Sequence, residues 1–320
     1  MTRRDVRRAA LLVATALLVL SVPIGPADAA WPGRNGRIAI ESDATGTRQI
    51  YARDLDCDDL VQLTGAGSND DPSWSPDGRH LAFDSDRTGV SQLYVMRPDG
   101  GHQHNVSPDG LCSAFPSWSP DGERLVFSHY PDTDCSGAPD IWSARRDGTG
   151  ATQLTHTAIA RELKPVWSPD GRRIAFVSHS STSGGFAVWT IASDGSHRQR
   201  LTPAWLDASY PDWSPDGRRV AVTSHVDREH SSLWLVDRDG SNLTRLTRPP
   251  AGTRDSKPAW SPDGNSILYS SDSRTPGQFE LYRLDTRTGS VRRLTHTPTG
   301  EYFSSWQPRP RDDDRQPDGD

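Results

Sequence analysis

The chain has 320 residues, with 36 Lys and Arg against 42 Asp and Glu, a formal net charge of −6 at pH 7 and 33% hydrophobic residues. An acidic balance repels phosphate backbones and anionic lipid headgroups, so nucleic acid and anionic membrane surfaces are not expected partners.

Residues 1 to 30 read as an address label. Arg3, Arg4, Arg7 and Arg8 form a basic start, Ala9 to Val22 is an apolar run, and Ala27-Asp28-Ala29 is a small-residue cleavage site. The run covers 14 residues, short of the roughly 20 a membrane span needs. The reading is a secretory signal peptide over 1–29, cleaved after Ala29, with the general secretory path favoured because Arg3-Arg4 has no convincing apolar pair behind it. No cysteine follows closely enough to take a lipid, so the product is expected to be soluble and exported, in the periplasmic, cell-wall or extracellular space. Loss of residues 1 to 30, with four arginines and two aspartates, takes the net charge from −6 to −8.

From Trp31 onward one pattern repeats. Trp-Ser-Pro-Asp-Gly begins at Trp74, Trp118, Trp167, Trp213 and Trp260, with eroded copies at Trp31 and Trp306, and the tryptophan steps are 43, 44, 49, 46, 47 and 46 residues. The pentapeptide is a turn, because proline presets φ and glycine takes the positive φ that other residues resist. A short strand-forming run follows it, such as Leu81-Ala82-Phe83 or Ile174-Ala175-Phe176, then a polar loop. A second run, such as Gln92-Leu93-Tyr94-Val95 or Leu233-Trp234-Leu235-Val236, ends in an Asp-Gly or Thr-Gly hairpin turn. A Leu-Thr pair closes the unit and is read as the outermost strand. Four strands per unit at this period predict an all-β fold: a six-bladed β-propeller of four-stranded antiparallel blades over 30–308, with helix nearly absent. The strand around Trp306 is expected to complete the blade begun at Trp31, which closes the ring and removes an open sheet edge. Residues 309–320, rich in proline and aspartate, are expected to be a disordered tail.

The pentapeptide, the aliphatic strand after it, the loop Ser85-Asp86-Arg87-Thr88-Gly89 and the terminal Leu-Thr resemble the WD-like propeller repeat of TolB-type proteins over about residues 31 to 308. TolB carries an α/β domain ahead of its propeller and this sequence has no matching segment, so no role of that domain transfers. The resemblance implies use of the propeller mouth for a protein partner, a lipoprotein in TolB-type proteins, without implying that partner here.

Three cysteines in an exported chain suggest one bridge and one leftover. Cys112, on the loop entering an inner strand, and Cys135, on a loop between second and third strands, fall on one face of the third blade and are predicted to pair. Cys57 falls in a hairpin turn on the opposite face.

Tryptophans at one repeated blade position are packing residues. The residue just before each Pro-x-Trp step instead varies: Asp71, Phe115, Lys164, Tyr210, Lys257 and Phe303. Aromatics and charges around a channel mouth form a candidate binding ring, against the plainer reading of ordinary loop variation. His129, His179 and His225 fall near the end of the second strand in successive blades, with His156 and His296 following Leu-Thr. They distantly resemble the histidine-rich manganese site of the seven-bladed oligogalacturonate lyases, yet the aligned Asp43, Asp86 and Asp272 read as loop caps. Asp132-Thr133-Asp134-Cys135-Ser136-Gly137 imitates a calcium loop, but Ser143 stands where the closing glutamate belongs. No Gly-x-Ser-x-Gly, phosphate loop or Cys-x-x-Cys pair occurs. The expected function is that of a soluble, monomeric binding protein, with no cofactor, recognising a protein or cell-envelope component through the mouth face. The alternative is a metal-dependent polysaccharide-active enzyme using His129, His179 and His225.

Overall fold

The computed structural model describes residues 33–55, 60–158, 160–180, 185–227 and 230–309. The expected leader, Trp31, Cys57 and the chain beyond 309 lie outside the described residues.

The repeat becomes six four-stranded sheets. Blade 2 runs from the channel outward as Asn69–Trp74, Leu81–Ser85, Gln92–Met96 and His104–Asn105, each antiparallel to the next. Blades 3 to 6 repeat this order, beginning at Ser113–Trp118, Arg161–Trp167, Ala208–Trp213 and Asp255–Trp260. Blade 1 is the seam. Its innermost strand is Glu301–Arg309, paired antiparallel with Arg34–Ser42, and Gln49–Arg53 and Val61–Gln62 lie outside it. Ile38 faces Trp306 across that join, and both are buried with Ile40, Leu268 and Leu281, so the seam is sealed by core as well as by ladder.

Each apolar layer lies between two blades. Ala82, Leu93, Val95 and Val106 of blade 2 pack with Trp118, Leu125, Phe127 and Ala144 of blade 3. Two of the repeat tryptophans bond the neighbouring blade: Trp118 Nε1 donates to Ser73 O at 3.0 Å and Trp306 Nε1 to Ala259 O at 3.3 Å. At the foot of the inner strand in blades 2 to 6 the pentapeptide locks its own turn. Ser75 Oγ donates to Asp77 Oδ1 at 2.5 Å, the same oxygen accepts the Arg79 N–H at 3.0 Å, and the His80 N–H returns to Ser75 Oγ at 2.9 Å. Gly78 has φ 66° with Pro308 O close by, so a Cβ there is strained and crowded.

One detail differs from the sequence reading. The outermost strand is the short segment before Leu-Thr, such as Thr152–Gln153 or Gln199–Arg200. The Leu N–H still reaches the third strand, as Leu154 to Ile141 O at 2.8 Å. The Thr hydroxyl then takes the place of a backbone acceptor: the N–H groups of Ile50, Ile141, Val188, Leu233 and Leu281 donate to Thr64, Thr155, Thr202, Thr247 and Thr295 at 2.9 to 3.0 Å. A side chain ends the ladder there, which is why the hydroxyl recurs. Helix among the described residues is confined to one 3-10 turn, Ala204–Leu206.

Candidate functional site at the channel mouth

The innermost strands descend from the mouth face to the pentapeptide turns, and each is interrupted near its start. Register shifts fall between Asp70 and Ser73, Ala114 and Ser117, Leu163 and Val166, Ser209 and Asp212, and Ser256 and Ala259. Asp71, Phe115, Lys164, Tyr210 and Lys257 occupy these bulges with φ of 51°, 59°, 55°, 50° and 56°. A proline follows each, tolerated because the innermost strand is a sheet edge and a bulge has no ladder bond to lose. Left-handed backbone at non-glycine residues costs on the order of 1 to 2 kcal/mol each. The strain is offset in part by bonds to the preceding blade. The Phe115, Lys164 and Lys257 N–H groups donate to Asp84 Oδ1, Ser128 Oγ and Thr223 Oγ1 at 3.1, 3.2 and 3.0 Å.

The bulge turns these side chains toward the axis. Asp71, Phe115, Lys164 and Tyr210 line a channel that, with its open mouth, holds about 930 Å³ of empty space. Lys257 leans instead on Tyr210, its Nζ 5.5 Å from the ring centroid, and pairs with Glu41 Oε2 at 3.8 Å. Lys164 Nζ stands 3.4 Å from the Tyr210 centroid and 5.1 Å from that of Phe115. Tyr210 is therefore shared by two ammonium groups, a favourable placement over the negative face of the ring. Phe303 lies on the blade 1 inner strand at the matching distance from its tryptophan, and its side chain is outside the described set.

Residues that the sequence reading missed give the mouth its polarity. Glu41 and Asp84, one position past the apolar centre of the second strand in blades 1 and 2, are buried beside Asp71. Burial pushes the Glu41 carboxyl up to about 7, against the pull of the Lys257 ammonium. Burial raises Asp84 well above the usual carboxylate range, and Asp71 adds to it by repulsion. Asp71 itself is raised by burial and drawn back by Lys257 and Lys164. Arg48 ties Asp70 at 2.7 Å and Glu41 at 3.4 Å, and Tyr302 donates to Asp43 Oδ2 at 3.0 Å. Acids thus gather on blades 1 and 2, beside Tyr302 of blade 1, while Lys164 and Lys257 stand on blades 4 and 6 with Phe115 and Tyr210 on blades 3 and 5. A charged residue inside an apolar strand, as in Ile38-Ala39-Ile40-Glu41 and Leu81-Ala82-Phe83-Asp84, was the available signal. Deeper in the channel, burial raises Asp212 to about 7 even as it accepts the Trp260 N–H at 2.6 Å.

The histidines are not brought together. His129 is buried against Trp142, bonded to Ser113 Oγ at 2.9 Å and Asp109 Oδ2 at 3.1 Å. His179 packs on Phe186 at 4.6 Å, and His225 Nε2 bonds Ser209 Oγ at 2.8 Å. Burial lowers the pKa of His129 and His225. Among the described residues no three His, Cys, Asp or Glu side chains converge as metal ligands. His156 and His296 are exposed. Cys112 and Cys135 are joined in a disulfide on the mouth face of blade 3, Cα atoms 5.5 Å apart. Beside it, Asp132 accepts the Ser136 and Gly137 N–H groups at 3.1 and 2.7 Å, so its oxygens cap their own loop.

A family model for the TolB β-propeller domain matches residues 25–159 and 140–314. The chain belongs to the TolB β-propeller domain family. Among solved structures it is similar to TolB from Acinetobacter baumannii, 20% identical over 86% of this chain and 67% of that one, with a TM-score of 0.72. A TolB-like protein from Agrobacterium tumefaciens is 21% identical over 87% of this chain and 92% of that one, TM-score 0.64. The oligogalacturonate lyase from Vibrio parahaemolyticus is 14% identical, covering 85% and 78% of the two chains, TM-score 0.56. At these identities the likeness is one of fold. No curated protein sequence matches.

Proposed function

We propose that this TolB-family propeller is an exported recognition protein whose mouth ring binds a protein or cell-envelope component, with no chemistry of its own. The carrying observation is the bulge series. Five strained positions in identical backbone settings at the channel mouth hold one acid, two aromatics and two lysines. Packing demands the same residue in every blade, whereas a ligand of low symmetry demands different ones. Half-buried aromatics flanked by both charge signs supply anchors and orientation. The leader over 1–29 and the use of the mouth in TolB-type proteins support the same reading.

Affinity capture from the native envelope and extracellular fractions tests it. Wild-type protein should retain a partner that is lost when Phe115, Tyr210 and Phe303 are all changed to Ala, with the thermal midpoint and sheet signature preserved. Equal recovery with the folded triple variant refutes the assignment.

A further inference from the structure

The third strand of every blade carries an aromatic residue at one register: Tyr51, Tyr94, Trp142, Trp189, Trp234 and Tyr282. In most blades the chain covers that ring itself. Arg87 lies 4.4 Å from Tyr94 in blade 2, and His129 lies 4.8 Å from Trp142 in blade 3. In blade 4 Arg198, ion-paired with buried Glu162, lies 4.7 Å from Trp189. Tyr282 of blade 6 stacks on Tyr269 at 5.7 Å.

Blade 5 departs from this. Opposite Trp234 stands Val222, where blades 2, 3, 4 and 6 place Phe83, Phe127, Phe176 and Tyr269. Ala208 takes the place of Glu162, and Leu243 that of Arg198. Val222 and Ala208 are packed into the apolar layer with Leu206 and Leu243, and beside Trp234 lies a pocket whose lining includes Trp205, Val226, His230, Ser232 and Arg245. Trp205, on the 3-10 turn, is 59% exposed and meets Trp234 nearly at right angles, 77° with centroids 6.1 Å apart. Val226, also exposed, lines the same pocket, so it and Trp205 form an apolar patch rather than a lone exposed side chain.

The polar groups of the pocket are serine hydroxyls, the His230 imidazole, whose Nε2 accepts the Gly252 N–H at 2.8 Å, and the Arg245 guanidinium. Ser232 Oγ accepts the Trp234 Nε1–H at 3.0 Å. Arg245 Nε donates to Thr247 O at 2.8 Å, which steadies the guanidinium. Among the described residues no carboxylate lines the pocket or forms a close ion pair with Arg245, whose charge acts at longer range on buried Asp255 of blade 6. A matching ligand has a flat apolar face for an indole, hydroxyls along its edge and a carboxylate for the guanidinium fork. We propose that blade 5 binds an acidic saccharide, a hexuronate unit of a polysaccharide, at a site on the mouth face outboard of the ring.

Tryptophan fluorescence and calorimetric titration with oligoglucuronate, and with a neutral glucose oligomer of equal length, test the assignment. Oligoglucuronate should bind saturably. Trp205→Ala and Arg245→Gln should each weaken it about tenfold or more, the loss of one stacking surface or one charged hydrogen bond. The neutral oligomer should bind more weakly and ignore Arg245→Gln. Trp205 is exposed, so its variant keeps the fold, and the Phe115→Ala/Tyr210→Ala variant should bind sugar normally. No saturable binding, undiminished binding by Trp205→Ala, equal affinity for the neutral oligomer, or loss through the ring variant would each overturn the proposal. So would a polypeptide partner lost with Trp205→Ala in the absence of sugar binding.

Discussion

The two faces of the propeller are made by the two ends of the same inner strands, yet the blades agree at one end and disagree at the other. On the turn face, Ser75, Ser119, Ser168, Ser214 and Ser261 each bond the aspartate two residues on, at 2.5 to 2.7 Å. On the mouth face the bulge backbone is as uniform, but its side chains run Asp71, Phe115, Lys164, Tyr210, Lys257. Agreement marks what the ring needs in order to close. Disagreement over a constant backbone marks what the ring presents.

That contrast breaks if mouth residues prove as costly to remove as core ones. The largest loss is expected for Trp213→Ala, which empties a fully buried inter-blade position. It should cost about 3 to 5 kcal/mol and lower the denaturant midpoint, disabling both faces together. Replacing Cys112 and Cys135 by Ser removes a cross-link 23 residues apart in sequence. It should cost about 3 kcal/mol by the chain-entropy model, with thermal unfolding as the readout.

The third effect is one of pH. An acid raised on folding keeps protons that the unfolded chain releases, so its contribution weakens as pH climbs from the unfolded to the folded value. For Asp212 that window runs from 3.8 to about 7, and for Glu41 from 4.5 to about 7. Exposed hairpin aspartates such as Asp147 and Asp194 have the opposite sign: Thr149 and Ser196 hydrogen bonds lower them, and their benefit fades only below the usual carboxylate range. These acids make stability fall from mildly acidic to neutral pH, opposed by His129 and His225, whose lowered pKa makes their own contribution rise as pH climbs toward the free imidazole value. Asp212→Asn, which keeps an acceptor for the Trp260 N–H, should remove on the order of 2 kcal/mol of that fall, seen as a flatter profile of thermal midpoint against pH. The sharpest comparison is the smallest in stability. Asp216→Ala on the turn face should cost about 1 kcal/mol and leave ligand binding alone. Tyr210→Ala at the mouth should shift stability by less than about 1 kcal/mol while abolishing partner capture.

The ring residues were legible because a repeat supplies its own alignment: where Trp74 and its counterparts hold still, Asp71 and its counterparts stand out by varying. Glu41, Arg48, Asp84 and Tyr302 were not singled out, since each reaches the mouth from its own strand or loop and joins the others only once the blades are side by side. The histidines mislead for the complementary reason. Shared register in separate blades looks like proximity in sequence, but each ring is held by a neighbour of its own blade, as His225 is by Ser209.

Trp205 and Trp234 are 29 residues apart in a chain with 11 tryptophans, and nothing in their spacing sets them apart. The fold brings them together at one pocket, with the 3-10 turn that carries Trp205 set against the third strand that carries Trp234. The sequence alone determined the number of blades, the turn at the foot of each and the strand that closes the ring, because these follow from local backbone preferences repeated at a fixed period. The charge polarity of the mouth and the opening in blade 5 were decided by the tertiary structure. Both depend on which side chains from distant segments share a space, and on how much of it they leave unfilled.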